Sequence, residues 1–554
     1  MKRPLFPLAA LLLFSVSGFA QELPDYDLGG ARKPKPDFSF RKEGQYKRVH
    51  QAALRFILSD EIPKSEAFLT QYLKDHPDDE ETLFMLGVLN VQRDNHDKGE
   101  NFLKQAVDAG LPAGRLIAGP RDLLKPLWDS PLLRNIRRQH ATRPVHGPLV
   151  GSTTASSVSV WVRTANEVSV KLVVREVGKS GTLRGGAKVS SRAVDDYTAV
   201  ASINGLMPDT NYAYAVCIDN GPLRFHPEQT FRTFPADGES SKFSLAFGGG
   251  AGFVPPNERM WDTIGTFNPS AMLLLGDNVY IDDPESVLMQ QYTYQRRQSR
   301  PEWRKLTART PTFTIWDDHD FSTNDTWGGA DIAVPFWKKD WVFPIFRQNW
   351  ANPAYGNGNV QPGCWYSFNI GDVDFIMLDC RYYRTDPAGT ELSMLGPVQI
   401  AWLKQELTKA TGKFIVVCSS VPWDFRTKGD SLDTWNGYKN EREAIFAFIE
   451  EKRIEGVILL SADRHRSDAW KIERKNGYGL YEFSSSRLTN QHVHPRMEAA
   501  GAIFSYNELQ SFGLVTIDTT AKDPTVKFDV VSINGDKPFT LDVKRSELVY
   551  ESTK

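Results

Sequence analysis

The stretch LLLGDNVYIDD (273–283) runs from buried-strand residues straight into Gly276-Asp277, places Tyr280 one turn further on, and follows with Asp282 and Asp283. Alone, it reads equally well as a strand that ends in a solvated turn, because Gly, Asp and Asn are the residues turns are built from. Two further stretches repeat the pattern. TFTIWDDHD (312–320) is an apolar run that breaks into Asp317, Asp318, His319 and Asp320. GVILLSADRHRSD (456–468) breaks into Asp463, Arg464 and His465. In an open α/β sheet, ligands sit beyond the carboxyl ends of the strands. Three apolar strands that each deliver Asp and His at that end predict one shared polar site. Carboxylate and imidazole are the donors that hold hard and borderline cations, so the site is expected to bind metal.

At this point the residues carry a resemblance. GDNVY, WDDHD and SADRH resemble the metal motifs of the PhoD-like (alkaline phosphatase D) metallophosphoesterases, Gly-Asp-x-x-Tyr, Trp-Asp-Asp-His-Glu and Gly-Asp-x-His; GDNVY is also similar to a motif of purple acid phosphatases. The resemblance covers about residues 144–545. It implies a binuclear centre in which Asp277 bridges two metal ions, Tyr280 and His465 hold the first, and Asp318 and Asp463 hold the second. It also implies that His319 lies over the substrate and gives a proton or hydrogen bond to the leaving oxygen. Iron and calcium are the cations expected first, with magnesium, manganese and zinc also compatible. The chain departs from the family at KFSLAFGGGAGF (242–253), where Gly249-Gly250 stand in place of a Ser-Cys whose cysteine is a metal ligand. Water, a backbone carbonyl, Asp282 or Asp283 would then fill the position. The glycines could instead form an anion-binding nest of backbone N–H groups, or only a tight turn.

Further candidates follow other strands. Arg381 and Arg384, in LDCRYYRTD, and Arg464, between two ligands, are substrate-binding candidates because guanidinium pairs with phosphate oxygens; ordinary ion pairs are the competing reading. Asn324 is a fourth candidate. His492 and His494 are either ligands or solvated loop histidines, and Trp423 is expected to wall the site.

The rest of the chain frames this site. At 41% hydrophobic and a formal net charge of -2, the 554 residues form globular domains with no global pull toward nucleic acid or an anionic membrane. Residues 1–20 read as a Sec-type signal peptide: Lys2-Arg3, an apolar stretch, and cleavage near Ala20 after Gly18-Phe19. The mature protein is therefore expected to be periplasmic or secreted, with no transmembrane segment. Residues 45–140 read as a helical segment in which 46–79 and 80–113 share small and apolar positions at the spacing of a tetratricopeptide repeat. Such a segment offers a surface for a protein partner; an ordinary helical hairpin is the alternative. Residues 144–235 change to short alternating runs, SVSVWVRT, VSVKLVVREV, YTAVASI and NYAYAVCI, as in an antiparallel sandwich of the immunoglobulin or fibronectin kind. Residues 242–545 then form an α/β two-sheet catalytic domain. Cys364 and Cys380 flank a hairpin that could bring them together, but free buried thiols fit equally well.

Together these readings predict an exported phosphoesterase that hydrolyses phosphodiesters, phosphomonoesters or both with metal-activated water. The rival reading is a non-catalytic exported binding protein that works through its helical repeat and carries a degenerate phosphatase core.

Overall fold

The computed structural model describes residues 46–179, 182–330, 337 and 339–551. The signal-peptide reading of residues 1–20 lies outside the described residues. No helix among them is long and apolar enough to cross a membrane.

Two sheets that share one apolar core build the site. A nine-stranded sheet carries Lys242–Gly248, Ala271–Leu275 and Thr312–Ile315 side by side and parallel. A seven-stranded sheet carries Phe414–Cys418, Val457–Ser461 and Leu480–Ser485, also parallel. Ala271–Leu275, Thr312–Ile315 and Val457–Ser461 are buried at every position. Strands covered on both faces read as continuous apolar runs rather than alternations. Parallel pairing puts the carboxyl ends at one edge, so the residues after 248, 275 and 315 emerge together. Ser420, just past the end of Phe414–Cys418, donates its hydroxyl to Asp317 at 2.8 Å and ties the two sheets at that edge.

The preceding β region does not stand apart. His146–Gly151 pairs parallel with Thr312–Ile315, so it joins the nine-stranded sheet with Ser157–Arg163 and Thr198–Asn204. The remaining strands of this region form a four-stranded sheet. One core, including Val150, Val160, Leu172 and Tyr214, lies between the two sets of strands.

The N-terminal segment is helical: Tyr46–Leu58, Ile62–Asp75, Glu80–Gln92 and His96–Asp108. Asp79 caps the third helix by accepting from the Thr82 N–H at 2.7 Å. Helices three and four approach closely at Gly87, where a Cβ would lie 2.7 Å from Leu103. Their apolar cluster takes in Met289 and Tyr292 from helix Val287–Ser299 of the two-sheet region. Buried Glu81 accepts from the Tyr292 hydroxyl at 2.7 Å and pairs with Arg115 at 3.1 Å. The helical segment is thus packed onto the two-sheet region through shared core.

Candidate metal centre

The first and third motifs leave their strands through a backbone that most side chains avoid. Asp277, Asp282, Asp463 and His465 all have positive φ, at 52°, 47°, 68° and 47°. Residues persist in such conformations when their surroundings over-determine them, and they cluster at functional sites. The turn at 277 is clamped by Asp320, which accepts from the N–H groups of Asn278 at 3.1 Å and Val279 at 3.1 Å. The last acid of WDDHD therefore holds the first motif in place.

Ligand atoms of Asp277, Asp318 and His319 come within 4.8 Å of one another, and all three residues are buried. Asp277 Oδ2 accepts from the Tyr280 hydroxyl at 2.9 Å, while its Oδ1 is buried with no hydrogen-bond partner. Tyr280 also accepts from Asn490 Nδ2 at 2.6 Å. Burial pushes the Tyr280 phenol well above its ordinary pKa, and the Asp277 carboxylate pushes it further. A phenolate there needs a cation beside it. Burial likewise raises the Asp277 carboxyl, with Asp318 adding to the effect. These are donors held close together and costly to leave charged, which is the chemistry a cation relieves.

Asp318 accepts from its neighbour's N–H (His319) at 3.0 Å and from the Asp325 N–H at 2.6 Å. It also belongs to a second acidic group with Asp325 and Asp433. Asp463 faces Lys428, whose ammonium lies 3.3 Å from it and 2.7 Å from Asp433. His465 is buried, its Nδ1 has no hydrogen-bond partner, and its N–H is held by Ser486 Oγ at 2.6 Å. Burial, then His492 and His494, hold the His465 imidazole far below its usual range. It is the neutral, ligand-competent form. The rings of His492 and His494 lie 5.0 Å and 5.6 Å from that of His465, so these loop histidines join the site's edge.

His319 tilts over Tyr280 with ring centroids 4.4 Å apart and bonds Asp282 Oδ1 through Nδ1 at 2.6 Å. Burial alone would lower its pKa, but Asp282, Asp318 and Asp277 override burial and raise it to about 9.

Gly250 sits at φ 67°, and a Cβ there would lie 3.2 Å from His465 Nδ1 but only 2.4 Å from the Ser486 carbonyl oxygen. Residue 250 therefore faces His465 without bringing a side-chain donor to it. The anion-nest reading fails, because the N–H groups of Gly249, Gly250 and Ala251 already donate to the carbonyls of Ser485, Gly276 and Asp277. Nor are Asp282 and Asp283 idle: the first is taken up by His319 and Arg48, the second by Arg55 at 2.8 Å.

The arginine candidates divide. Arg381 is fully buried, with Nε on Asp317 at 2.6 Å and Nη1 on Asp433 at 2.7 Å; Arg384 pairs with Asp433 at 2.9 Å and donates to the Tyr438 hydroxyl at 3.0 Å. Arg464 donates to the Thr427 carbonyl at 3.2 Å, and its Nη1, 3.9 Å from Asp463, makes no hydrogen bond. Asn324 is exposed beside Asp325. Trp423 is stacked on Trp435 at 4.5 Å in the core rather than walling the site. All four cysteines are free thiols. Sequence reasoning missed Asn490, Lys428 and Asp433, which come from loops with no ligand-spaced pattern.

The fold of two sheets in one core, with carboxylates and imidazoles gathered at their shared carboxyl edge, is similar to that of PhoD and of purple acid phosphatase. The PhoD-like phosphatase family model matches residues 245–528, and the chain belongs to that family. Residues 141–236 match a domain family of unknown function. Alkaline phosphatase D of Bacillus subtilis (strain 168) is 24% identical over 258 residues, 42% of this chain and 43% of that protein, so the chain spans less than half the length of this relative. The solved structure of PhoD superposes with a TM-score of 0.60 at 17% identity, over 73% of this chain and 91% of that one. Purple acid phosphatase from yellow lupin (Lupinus luteus) seeds does so with a TM-score of 0.54 at 13% identity, over 72% and 75%. At these identities the two structures speak for the fold.

Proposed function

We propose that this protein is an exported, binuclear metal-dependent phosphoesterase acting on phosphodiesters, phosphomonoesters or both. The observation that carries the reading is the group Asp277, Asp318 and His319, with an unpartnered, buried carboxylate oxygen on Asp277. Asp277 would serve both ions, Tyr280 and His465 would complete the first position, and Asp318 and Asp463 the second. The all-oxygen-and-imidazole donor set suits iron and calcium, and equally magnesium, manganese or zinc. Bound there, the cations supply charge for the phosphate oxygens and lower the pKa of water at the site. The chain's own residues do the rest. His319, protonated and lying over Tyr280, meets the leaving oxygen. Arg464, whose Nη1 makes no hydrogen bond, and Asn324, exposed beside Asp325, are the candidates for substrate contact. Arg381 and Arg384 act from behind, by fixing Asp317 and Asp433.

In this reading residues 1–20 are the export signal, 45–140 a tetratricopeptide-like segment open to a protein partner, 144–235 an immunoglobulin-like sandwich and 242–545 the catalytic domain. The test is an assay with a nitrophenyl diester and monoester before and after chelation. Hydrolysis of at least one, lost with the chelator and restored by added cation, is expected. Turnover that survives complete removal of metal contradicts the proposal.

A further inference from the structure

The Asp282 carboxylate is shared between two distant parts of the chain. Its Oδ1 takes the bond from His319 Nδ1 at 2.6 Å, and its Oδ2 lies 3.0 Å from Arg48 Nη1. Arg48 sits in the first turn of helix Tyr46–Leu58, outside both regions that family models match. The same helix holds the loop at three other points. Gln51 donates to the Tyr280 carbonyl, the Lys47 ammonium lies 3.4 Å above the Tyr280 ring, and Arg55 pairs with Asp283. Asp282 itself is held in the left-handed region, which a non-glycine residue keeps when its surroundings fix it.

We propose that Arg48 is a positioning residue for His319, acting through Asp282, so that the helical segment is part of the catalytic machinery. This rests on the reading of His319 as the group that meets the leaving oxygen. A carboxylate that accepts from Nδ1–H fixes both the ring plane and the tautomer, and leaves Nε2 for the substrate. A carboxylate with only that one bond can swing about its own χ angles. The Arg48 guanidinium, ion-paired with its second oxygen at 3.0 Å, restricts that freedom through attraction across a largely buried contact. The arrangement has an internal control, because Arg55–Asp283 is an ion pair across the same interface that does not touch His319.

The experiment combines two readouts on the full-length protein. In protein with ¹⁵N-labelled histidine, the His319 Nδ1–H should give a downfield proton resonance, absent in Asp282→Asn. Arg48→Met should broaden it by faster exchange with water, while Arg55→Met should leave it in place. In turnover, Arg48→Met should cost roughly 10–100-fold with alkyl leaving groups, the scale on which supporting partners act. KM should change little, and the loss should be smaller with nitrophenolate. Arg48→Met with an unaltered resonance and full turnover overturns the proposal. So does an equal loss in Arg48→Met and Arg55→Met at every leaving group, which is the signature of a plain brace. A wild-type protein inert toward all phosphate esters would refute the functional reading instead, and the resonance would still decide the role of Arg48.

Discussion

The loop 276–283 and the stretch 378–384 look alike in sequence, since each breaks a buried apolar strand into charged and aromatic residues. Their chemistry is opposite. Arg381 and Arg384 are ion-paired with Asp317 and Asp433, and Arg384 also donates to the Tyr438 hydroxyl, so their charges are neutralised within the fold. In the first loop, Asp277 keeps a buried carboxylate oxygen with no partner, next to a phenol and two further acidic or imidazole groups within ligand distance. Charge at a strand end therefore does not mark a site. Buried ligand atoms gathered within reach of one another, one of them unpartnered, do.

The comparison can be broken at either region. Asp277→Asn should have the largest effect, with metal and turnover lost together while the fold survives, as read by elemental analysis and circular dichroism on one preparation. A variant with full metal content and turnover would remove the bridge from the account. His319→Ala should come next, lowering turnover by roughly 10²–10⁴-fold at near-normal metal content. Its loss should shrink with nitrophenolate; an equal loss for good and poor leaving groups would assign His319 to substrate positioning only. Arg381→Met should act differently, costing about 3–5 kcal/mol of folding stability because buried Asp317 loses its guanidinium partner, while Asp433 keeps Arg384 and Lys428. Denaturant unfolding checks this, and a variant as stable as the parent but specifically inactive would return Arg381 to the substrate.

The smallest effect is the pH dependence of the metal-free protein. Burial raises Asp320 to about 7 despite the N–H groups it accepts from, and its unfolded value is near ~3.9. The folded state thus holds the extra proton, and stability falls as pH rises from about 4 to about 7. His319 is raised from 6.5 to about 9, so its contribution is full below 6.5 and is lost as pH rises through about 9. Both act in the same direction. Melting temperature in chelator should decline across that range, and a flat or rising curve would show that these groups do not titrate as their surroundings require.

Much of this was legible in the sequence because it is local. Apolar runs gave the three parallel strands, and the Asp and His residues at their ends are where the sheets' carboxyl edge puts them. The alternating runs of 144–235 became strands, but two of them, with His146–Gly151, extend the nine-stranded sheet, which no local pattern announces. Trp423 was misjudged for the same reason, and of the readings left open for Gly249-Gly250 the anion nest is the one the structure removes. Whether a tryptophan lines a cleft, or an N–H is available, depends on partners far along the chain. The helical segment is the clearest case. Gln51 and Tyr280 are 229 residues apart, and nothing in either neighbourhood signals their contact.

The central claim is that the gathered donors exist to hold cations that do the work. Titration of chelator-treated protein with a divalent or ferric ion, following ions bound per chain and turnover together, tests it most directly. The account predicts that turnover rises with occupancy and saturates when two ions are bound per chain. Full turnover in the emptied protein, or saturating metal binding to a protein that hydrolyses no phosphate ester, would contradict it.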